Sequence, residues 1–387
     1  MKIPLIYNVR SLLHRPLTSL TTALGVAFVV VTFVGMLALA NGFRAALVST
    51  GREDNVFILR NGADSEISSG IDRNAAAILT SYPEVARTAD GRPVASADVY
   101  VVVAKPRVNG SETHMPVRGV GPAALQVRDQ ISIVNGRMFE PGRAEVIVGT
   151  GLIGRMQNVN IGDRLQFGQQ EFTVVGHFDA DGSAFESEVW GDSEEMMAVF
   201  RGPVYQSVVM RLADPSAYET LKARIEADPR LQVDVRREAQ FFAEQAGFLS
   251  SVLRFIAFFV TIIMAVGAVF GAINTMDAMV AARMREIALL MTLGFRPRSV
   301  MASFLLEAML VALAGGLLGC LFALPINGIQ TSTTNWQSFG EVTFAFRVTP
   351  DILLQGMIFA AIMGLVGGLL PARRAARETL AVAIRKL

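Results

Sequence analysis

Few residues in this 387-residue chain have types and spacings that support catalysis. The single cysteine, Cys320, lies in an apolar run, so no intramolecular disulfide can form. The three histidines, His14, His114 and His177, are scattered, and C-x-x-C and H-E-x-x-H do not occur, so we expect no metal site. None of the four lysines follows a glycine, which excludes a G-x-x-x-x-G-K-[ST] phosphate loop. We therefore predict no catalytic residues and no directly bound cofactor.

Acidic residues supply two further candidates for chemistry. The loop that contains Asp179, Asp181, Glu186 and Glu188 matches no calcium-loop spacing, so we predict a solvated loop. Glu307 is the one ionisable residue well inside a long apolar run. Intramembrane acids are functional candidates, but Glu307 lies about two helical turns from the predicted inner surface. A pairing or snorkelling role therefore stays open beside a functional one.

The segment Arg283–Gly294, R-M-R-E-I-A-L-L-M-T-L-G, separates two apolar runs that are each long enough to span a bilayer. It holds no proline or internal glycine, and its residues favour a helix. Apolar positions recur at helical spacing, whereas charged residues crowd the start. The pattern is typical of a helix on a membrane surface that another protein grips.

Composition indicates a membrane protein with a large soluble part. The chain is 52% hydrophobic and 18% charged, against about 25% charged in ordinary soluble domains. Four apolar runs predict four transmembrane α-helices, with a large α+β extracytoplasmic domain between the first and second. Thr18–Ala40 also fits a cleaved signal peptide, because Ala38–Ala40 resembles a cleavage site, but its length favours a span.

The predicted boundaries follow the changes in hydropathy along the chain. They are: 1–16 cytoplasmic amphipathic N-terminal helix; 17–43 first span; 44–240 extracytoplasmic domain of two lobes; 241–281 stalk and second span; 282–298 cytoplasmic coupling helix and loop; 299–327 third span; 328–350 short extracytoplasmic loop; 351–371 fourth span; 372–387 cytoplasmic basic tail.

Charge distribution predicts the orientation. Residues 44–249 carry 21 basic and 28 acidic side chains, whereas the remainder carries 14 basic and 6 acidic ones. The positive-inside rule therefore places both termini and Arg283–Ser299 in the cytoplasm. Nucleic acid is not an expected partner, because the arginines are dispersed without interleaved aromatic residues.

The soluble block shows alternating strand and helix patterns. Residues 206–235 predict a βαβ-like unit within one lobe, and the stretch around Glu140–Phe178 predicts a second lobe. The predicted strands are Val56–Arg60, Asp98–Ala104, Met115–Val120, Glu145–Val148, Glu171–Phe178, Gln206–Leu212 and Leu231–Val235; the predicted helices are Arg73–Ser81, Gly151–Gln157, Ser193–Phe200 and Pro215–Ala227. Glu238–Met284 lacks proline and predicts one long helix that joins this block to the membrane.

The chain resembles the MacB/FtsX/LolC-type permease subunits of ABC transporters over nearly its whole length. The resemblance is carried by N-V-R-S-L-L-H-R-P-L-T-S-L-T-T-A-L-G-V-A (Asn8–Ala27), by V-I-V-G, N-I-G-D-R-L and E-F-T-V-V-G within Glu145–Phe178, by Arg283–Ala308 and by P-A-R-R-A-A-R (Pro371–Arg377). The third of these segments is the most specific, and together they form a strong match.

This resemblance implies that Arg283–Gly294 is a coupling helix seated in a groove of a cytoplasmic ABC ATPase. The implied coupling residues are Arg283, Arg285, Glu286, Ile287, Leu290, Leu293 and Gly294. Such permeases work as dimers with a second copy or a paralogue, and ATP-Mg binds to the ATPase. Because these 387 residues contain no ATPase domain, the resemblance implies an ATPase on another polypeptide.

The same resemblance implies a permease of the bacterial inner membrane, in contact with membrane lipids, that transmits ATPase motion to its outer domain. Family members act on lipids, lipoproteins, peptides or drug-like cargo, and some use a periplasmic adaptor and an outer-membrane channel. An FtsX-like signalling scaffold that controls an extracytoplasmic peptidoglycan hydrolase is the alternative. A membrane-anchored enzyme is disfavoured by the missing catalytic constellation.

Overall fold

The computed structural model describes residues 16–200 and 202–377, without the side chains of Leu290 and Arg377. The predicted N-terminal amphipathic helix and residues 378–387 of the basic tail lie outside the described residues. The chain forms two compact units. The helical unit comprises Met1–Asn41, Ser251–Ile329 and Phe346–Leu387, and the sheet unit comprises Gly42–Ser250 and Gln330–Ala345.

Nine helices fall within the described ranges, and four of them are long and apolar enough to cross a membrane. They are α1 (Pro16–Val48), α2 (Arg73–Thr80), α3 (Ala124–Val127), α4 (Ser193–Phe200), α5 (Tyr218–Glu226), α6 (Glu238–Ala282), α7 (Met284–Thr292), α8 (Pro297–Ala323) and α9 (Pro350–Arg377). The potential spans are α1, α6, α8 and α9, which confirms the four predicted apolar helices.

The strands belong to the sheet unit. They are β1 (Asn55–Arg60), β2 (Ile71–Asp72), β3 (Ala95–Pro106), β4 (Glu112–Val120), β5 (Ser132–Gly136), β6 (Glu145–Gly149), β7 (Arg164–Phe167), β8 (Gln170–Asp179), β9 (Val189–Asp192), β10 (Val204–Tyr205), β11 (Ser207–Arg211), β12 (Val233–Arg237), β13 (Gln330–Thr334) and β14 (Glu341–Ala345). The main sheet has ten strands in the order β12-β1-β11-β3-β4-β9-β6-β8-β5, with β7 also paired to β8.

Two apolar cores divide the sheet unit into lobes. The first lobe packs β1, β11 and β12 against α2 and α5, with Ile58 and Leu221 in its core. The second lobe packs β4, β6, β8 and β9 against α4, with Val146 and Met196 in its core. Asp72 caps α2 by accepting hydrogen bonds from the Asn74 and Ala75 amides, both at 2.9 Å. Each lobe of the sheet unit therefore has its own apolar core.

The seven predicted strands are present, with ends that differ by a few residues. The βαβ-like unit is also present, but β1 lies between β11 and β12 and pairs antiparallel with both. The prediction of a helix for Gly151–Gln157 is wrong. That segment holds only the 3₁₀ turn Thr150–Leu152, because Gly154 adopts φ +73°, which interrupts a right-handed helix.

The helical unit packs around α1. Val30, Phe33 and Val34 of α1 lie in a core with residues of α6, α8 and α9, which favours a retained span over a leader peptide. The glycines of α9 permit close packing, as predicted. A Cβ added at Gly364 or Gly368 would lie 2.5 Å from the Cβ of Ala312 or Ala308 on α8.

The prediction of a short loop for 328–350 needs correction, because these residues include the antiparallel hairpin β13–β14. Glu341 is buried, accepts a hydrogen bond from Thr113 and pairs with Arg107 at 2.8 Å. The Ser187 hydroxyl accepts a hydrogen bond from the Thr343 amide at 2.7 Å. These bonds make the hairpin a part of the sheet unit. Its Gln-Thr-Ser-Thr-Thr strand is too polar to show hydrophobic alternation.

Candidate functional site

A sharp turn separates α6 from the short helix α7. The helix α6 ends at Ala282, and Arg283 adopts φ −113° and ψ 15° before α7 begins. At the other end, Gly294 has φ +90°, a conformation that costs an L-residue energy, and its amide donates to the Met291 carbonyl at 3.1 Å. Pro297 then occupies the first turn of α8, where its missing amide hydrogen is tolerated. Both turns give α7 a fixed start and end.

One face of α7 packs into the helical unit. Ile287 lies in an apolar core with Val280 of α6, Phe304 of α8 and Ala372 of α9. Ala288 is also buried. The inward face therefore joins α7 to three of the potential spans.

A buried ion pair also fixes the start of α7. The Arg283 guanidinium donates from Nη1 to both carboxylate oxygens of Glu307 on α8, at 2.9 and 3.0 Å. The Glu307 side chain is 1% exposed, and the Arg283 side chain is 9% exposed. Nε of Arg283 also pairs with Glu286 at 3.1 Å. Since breaking a buried pair leaves an uncompensated charge, this contact resists displacement of α7 from α8.

The opposite face of α7 carries an exposed stripe. Arg285, Leu289 and Leu293 follow one another at four-residue spacing, which places them on one face of the helix. Leu289 and Leu293 are each 63% exposed. We call these three residues the α7 stripe. It offers apolar area with a positive charge at one end.

The structure separates the residues predicted from the sequence. Arg285, Glu286, Leu293 and Gly294 are exposed, whereas Arg283 and Ile287 are buried inside the helical unit. The Leu290 side chain lies outside what the structure describes. Ile287 offers no exposed surface to a partner in this structure, because the apolar face of α7 packs on its own unit. Leu289 was not among the predicted coupling residues. The only sequence signal for it is its position four residues from both Arg285 and Leu293.

The pairing interpretation of Glu307 is the one that the structure shows. A second ion pair joins Arg374 of α9 to Asp277 of α6, but here both side chains retain exposure, 65% for Arg374 and 32% for Asp277. Within the described residues of these helices, the buried pair Arg283–Glu307 thus lies beside two pairs that involve exposed side chains, Arg283–Glu286 and Arg374–Asp277.

Comparisons with known proteins match two domain families along this chain. Residues 19–228 match the MacB-like periplasmic core domain, and residues 258–380 match the FtsX-like permease C-terminal domain. The chain belongs to the MacB/FtsX family of ABC transporter permeases. It is accordingly a multi-pass membrane protein with an extracytoplasmic domain, and that domain comprises most of the sheet unit.

Curated relatives carry the name macrolide export ATP-binding/permease protein MacB. The protein from Photorhabdus laumondii is 25% identical over 95% of this chain and 58% of its own length. The protein from Bartonella quintana is 24% identical over 96% of this chain and 58% of its own length. The chain thus spans less than two thirds of these relatives.

Solved structures with similarity to this chain include two isolated domains. The extracellular domain of the ABC-type transporter YknZ from Gram-positive bacteria covers 47% of this chain, with 15% identity and a TM-score of 0.36. The periplasmic region of MacB from Actinobacillus actinomycetemcomitans covers 50% of this chain, with 12% identity and a TM-score of 0.38.

Proposed function

We propose that this permease converts ATP binding and hydrolysis by a cytoplasmic ABC ATPase into motion of its extracytoplasmic domain. The motion serves the export or extraction of a lipid, lipoprotein, peptide or drug-like cargo from the outer side of the bacterial inner membrane. The permease itself catalyses no reaction, and ATP-Mg binds to the ATPase.

The observation that carries this proposal is the α7 stripe on an anchored helix. Burying one leucine is worth about 1.5–3 kcal/mol, so Leu289 and Leu293 together supply much of a stable protein contact. Arg285 adds a positive charge, which suits acidic residues on the proposed ATPase surface. Because the Arg283–Glu307 pair holds α7 against α8, a push on the stripe moves the spans with it.

The helix α6 supplies the route for this motion. It continues without interruption from Glu238 to Ala282, a length of about 67 Å at 1.5 Å per residue, more than twice the hydrocarbon thickness of a bilayer. Force applied at its α7 end is therefore carried along a single helix to residues 238–250, the part of α6 that belongs to the sheet unit.

The same helix supports a dimer. Only 11% of the residues in its most apolar stretch are buried, against 39–56% for the other three potential spans. Phe255, Phe259 and Ile263 are exposed on it. A second copy of the chain, or a paralogue, covers this face in our proposal, with lipid around the remainder.

The test is affinity purification of the tagged chain in detergent from its native host, followed by mass spectrometry and an ATPase assay. We expect an ABC ATPase to co-purify. Leu289→Asp and Leu293→Asp should each reduce its recovery at least tenfold, because burial of either leucine is worth about 1.5 kcal/mol or more and about 1.4 kcal/mol is a factor of ten.

Two controls make this result specific. Leu289→Met keeps an apolar side chain and should retain the ATPase. Ile161→Asp changes an exposed apolar residue of the sheet unit and should also retain it. Absence of any ATPase, or full recovery with Leu289→Asp, would contradict the proposal. An extracytoplasmic peptidoglycan hydrolase recovered with the ATPase would replace transport by the signalling-scaffold alternative.

A further inference from the structure

A network of buried charges lies between the two lobes of the sheet unit. It consists of two arginines and four acids, and each of these residues is buried: Glu66, Asp98, Arg118, Arg128, Glu188 and Glu238. We call it the interlobe network. Glu66 follows β1 of the first lobe, Arg118 and Glu188 belong to the second lobe, and Glu238 is the first residue of α6.

Arg118 is the fully satisfied centre of this network. Its guanidinium donates to Glu66 at 2.6 and 3.0 Å and to Glu188 at 2.7 and 2.9 Å. The Trp190 indole donates to Glu188 at 2.7 Å, and the Ser207 hydroxyl donates to Glu66 at 2.8 Å. These paired bonds join the lobes firmly.

Arg128 is bonded far less completely. Its Nη2 donates to Asp98 at 2.7 Å, but Nε and Nη1 have no hydrogen-bond partner within the described part of the chain. The nearest acid to Nε is Glu238, whose Oε1 lies 3.6 Å away and likewise accepts no hydrogen bond there. Buried guanidinium hydrogens and carboxylate oxygens are costly to leave unpaired.

Glu238 also contacts the segment that follows α1. Its Oε2 accepts hydrogen bonds from the Arg52 amide at 3.2 Å and from the Asn55 side chain at 2.8 Å. The Ala239 amide donates to the Arg52 carbonyl at 3.2 Å. The first turn of α6 is thus tied to the chain that enters the sheet unit from α1.

We propose that Arg128 is a positioning residue that sets the first turn of α6 against both lobes through Glu238. A displacement of Glu238 by less than about 1 Å would turn the 3.6 Å contact into a charge-assisted hydrogen bond of about 2.8 Å. Movement of α6 is thereby coupled to Asp98, and through Arg118 to both lobes. The positioning role stands on the geometry of the sheet unit, whereas its use in transmission rests on the proposed function.

Hydrogen–deuterium exchange on the full chain in nanodiscs tests the positioning role. The double variant Arg128→Met/Glu238→Gln removes one charge of each sign, so the remaining network keeps its net charge. We expect amides of residues 238–245 to exchange at least about tenfold faster, with the cores of β1 and β6 unchanged. Glu238→Gln alone, which keeps the Arg128–Asp98 bond, should give a smaller change at the same amides.

The control removes an ion pair that has no link to α6. Arg137 and Glu145 pair at 2.7 Å in the same unit, and Arg137→Met/Glu145→Gln should leave residues 238–245 unchanged. Unaltered exchange at these amides in both Glu238 variants would overturn the proposal. Equal acceleration across the whole sheet unit would also overturn it, because that is the result of a purely structural role. If the double variant does not fold, Glu238→Gln decides between these outcomes.

A second arm separates this inference from the proposed function. Exchange at residues 238–245 is compared with and without ATP in the complex with the co-purified ATPase. A loss of the ATP-dependent difference in the Arg128 variant supports the role in transmission. If the first arm succeeds but wild-type protein shows no ATP dependence, the positioning role stands and the mechanotransmission proposal fails.

Discussion

The helical unit and the sheet unit bury charge in different ways. Among the described residues of the helical unit, Arg283–Glu307 at the start of α7 is the one buried ion pair, and small and apolar side chains form the surrounding cores. The sheet unit buries six charged residues where its two lobes meet. Buried ion pairs add little net stability compared with apolar packing, but they are costly to break one partner at a time.

In the proposed function, this difference corresponds to two different mechanical tasks. The buried pair Arg283–Glu307 fixes one orientation of α7. A network with both satisfied and unsatisfied groups can exchange partners with small movements. In the sheet unit, Arg118 fixes the lobes, and Arg128 keeps unused donors beside Glu238. Buried charges therefore lie at both ends of α6. The Arg283–Glu307 pair near α7 is fully formed, whereas Glu238 at the other end lies beside Arg128 donors that, among the described residues, are free to bond.

Removal of Arg118 should have the largest effect on stability. Arg118→Met leaves Glu66 and Glu188 buried without their main counter-charge, and we expect a loss of about 5 kcal/mol in unfolding free energy. Burial lowers the pKa of Arg118, but the neighbouring Glu188 and Glu66 outweigh burial and raise its pKa well above the ordinary value, so the residue stays charged. Fluorescence of the buried Trp190 during urea unfolding reports the change.

The matched control for Arg118 is the more exposed arginine Arg137. Arg137→Met removes one partner of an ion pair near the surface of the same unit, and we expect a much smaller loss of stability because water screens such pairs. Similar effects of the two substitutions would mean that the interlobe network is no different from surface pairing.

Removal of Arg283 should have a somewhat smaller effect, about 3 kcal/mol, because only one deeply buried carboxylate loses its main partner. The expected readout for Arg283→Met is faster tryptic cleavage after Arg285 on a loosened α7. Adding Glu307→Leu should restore much of the resistance, since the unpaired charge is then gone. Arg374→Met, at the exposed pair with Asp277, should change cleavage little. No rescue by Glu307→Leu would contradict the role of the buried pair.

The sequence predicted elements whose signals are local. Hydropathy located the four long helices, and strand-like runs, many of them bounded by glycine or asparagine, located β1, β3, β4, β6, β8, β11 and β12. The hairpin β13–β14 and the short strands β2, β5, β7, β9 and β10 were missed. Their stability comes from pairing within the sheet unit rather than from their own pattern, which illustrates how strand preference depends on context.

Buried charges were the part of the site that sequence reasoning could not place. The acidic loop was predicted to be solvated, which is wrong for Glu186 and Glu188, since both are buried. Glu188 pairs with Arg118, 70 residues away. No local sequence pattern indicates an ion-pair partner 70 residues away in the chain. Ile287 was predicted to contact a partner protein. Apolar spacing indicates that one face of a helix is buried, but it does not indicate whether a partner or the chain itself covers that face.

Substitution of Gly294 tests how firmly the turns hold α7. Gly294→Ala places an L-residue at φ +90° and should cost about 1–2 kcal/mol. The measurement is tryptic cleavage after Arg298, which should accelerate. Gly271→Ala is the opposite control, because that glycine lies within α6 with open space around its Cβ position, and alanine should stabilise the helix by about 1 kcal/mol. Equal effects of the two changes would show that backbone conformation at Gly294 is unimportant.

The smallest effect concerns acid at the Arg137–Glu145 pair near the surface of the sheet unit. Hydrogen bonding to Arg137, opposed in part by burial, lowers the pKa of Glu145 from 4.5 to about 2. Because the folded-state pKa is the lower one, this pair stabilises the fold above about pH 4.5, and that contribution is lost as the pH falls towards 2. Glu145→Gln should therefore differ from wild type in its Trp190-detected unfolding midpoint near neutral pH, and the two should converge only as the pH falls to about 2. A constant difference across this range would assign the pair's effect to packing rather than charge, and would remove the contrast between surface pairing and the interlobe network.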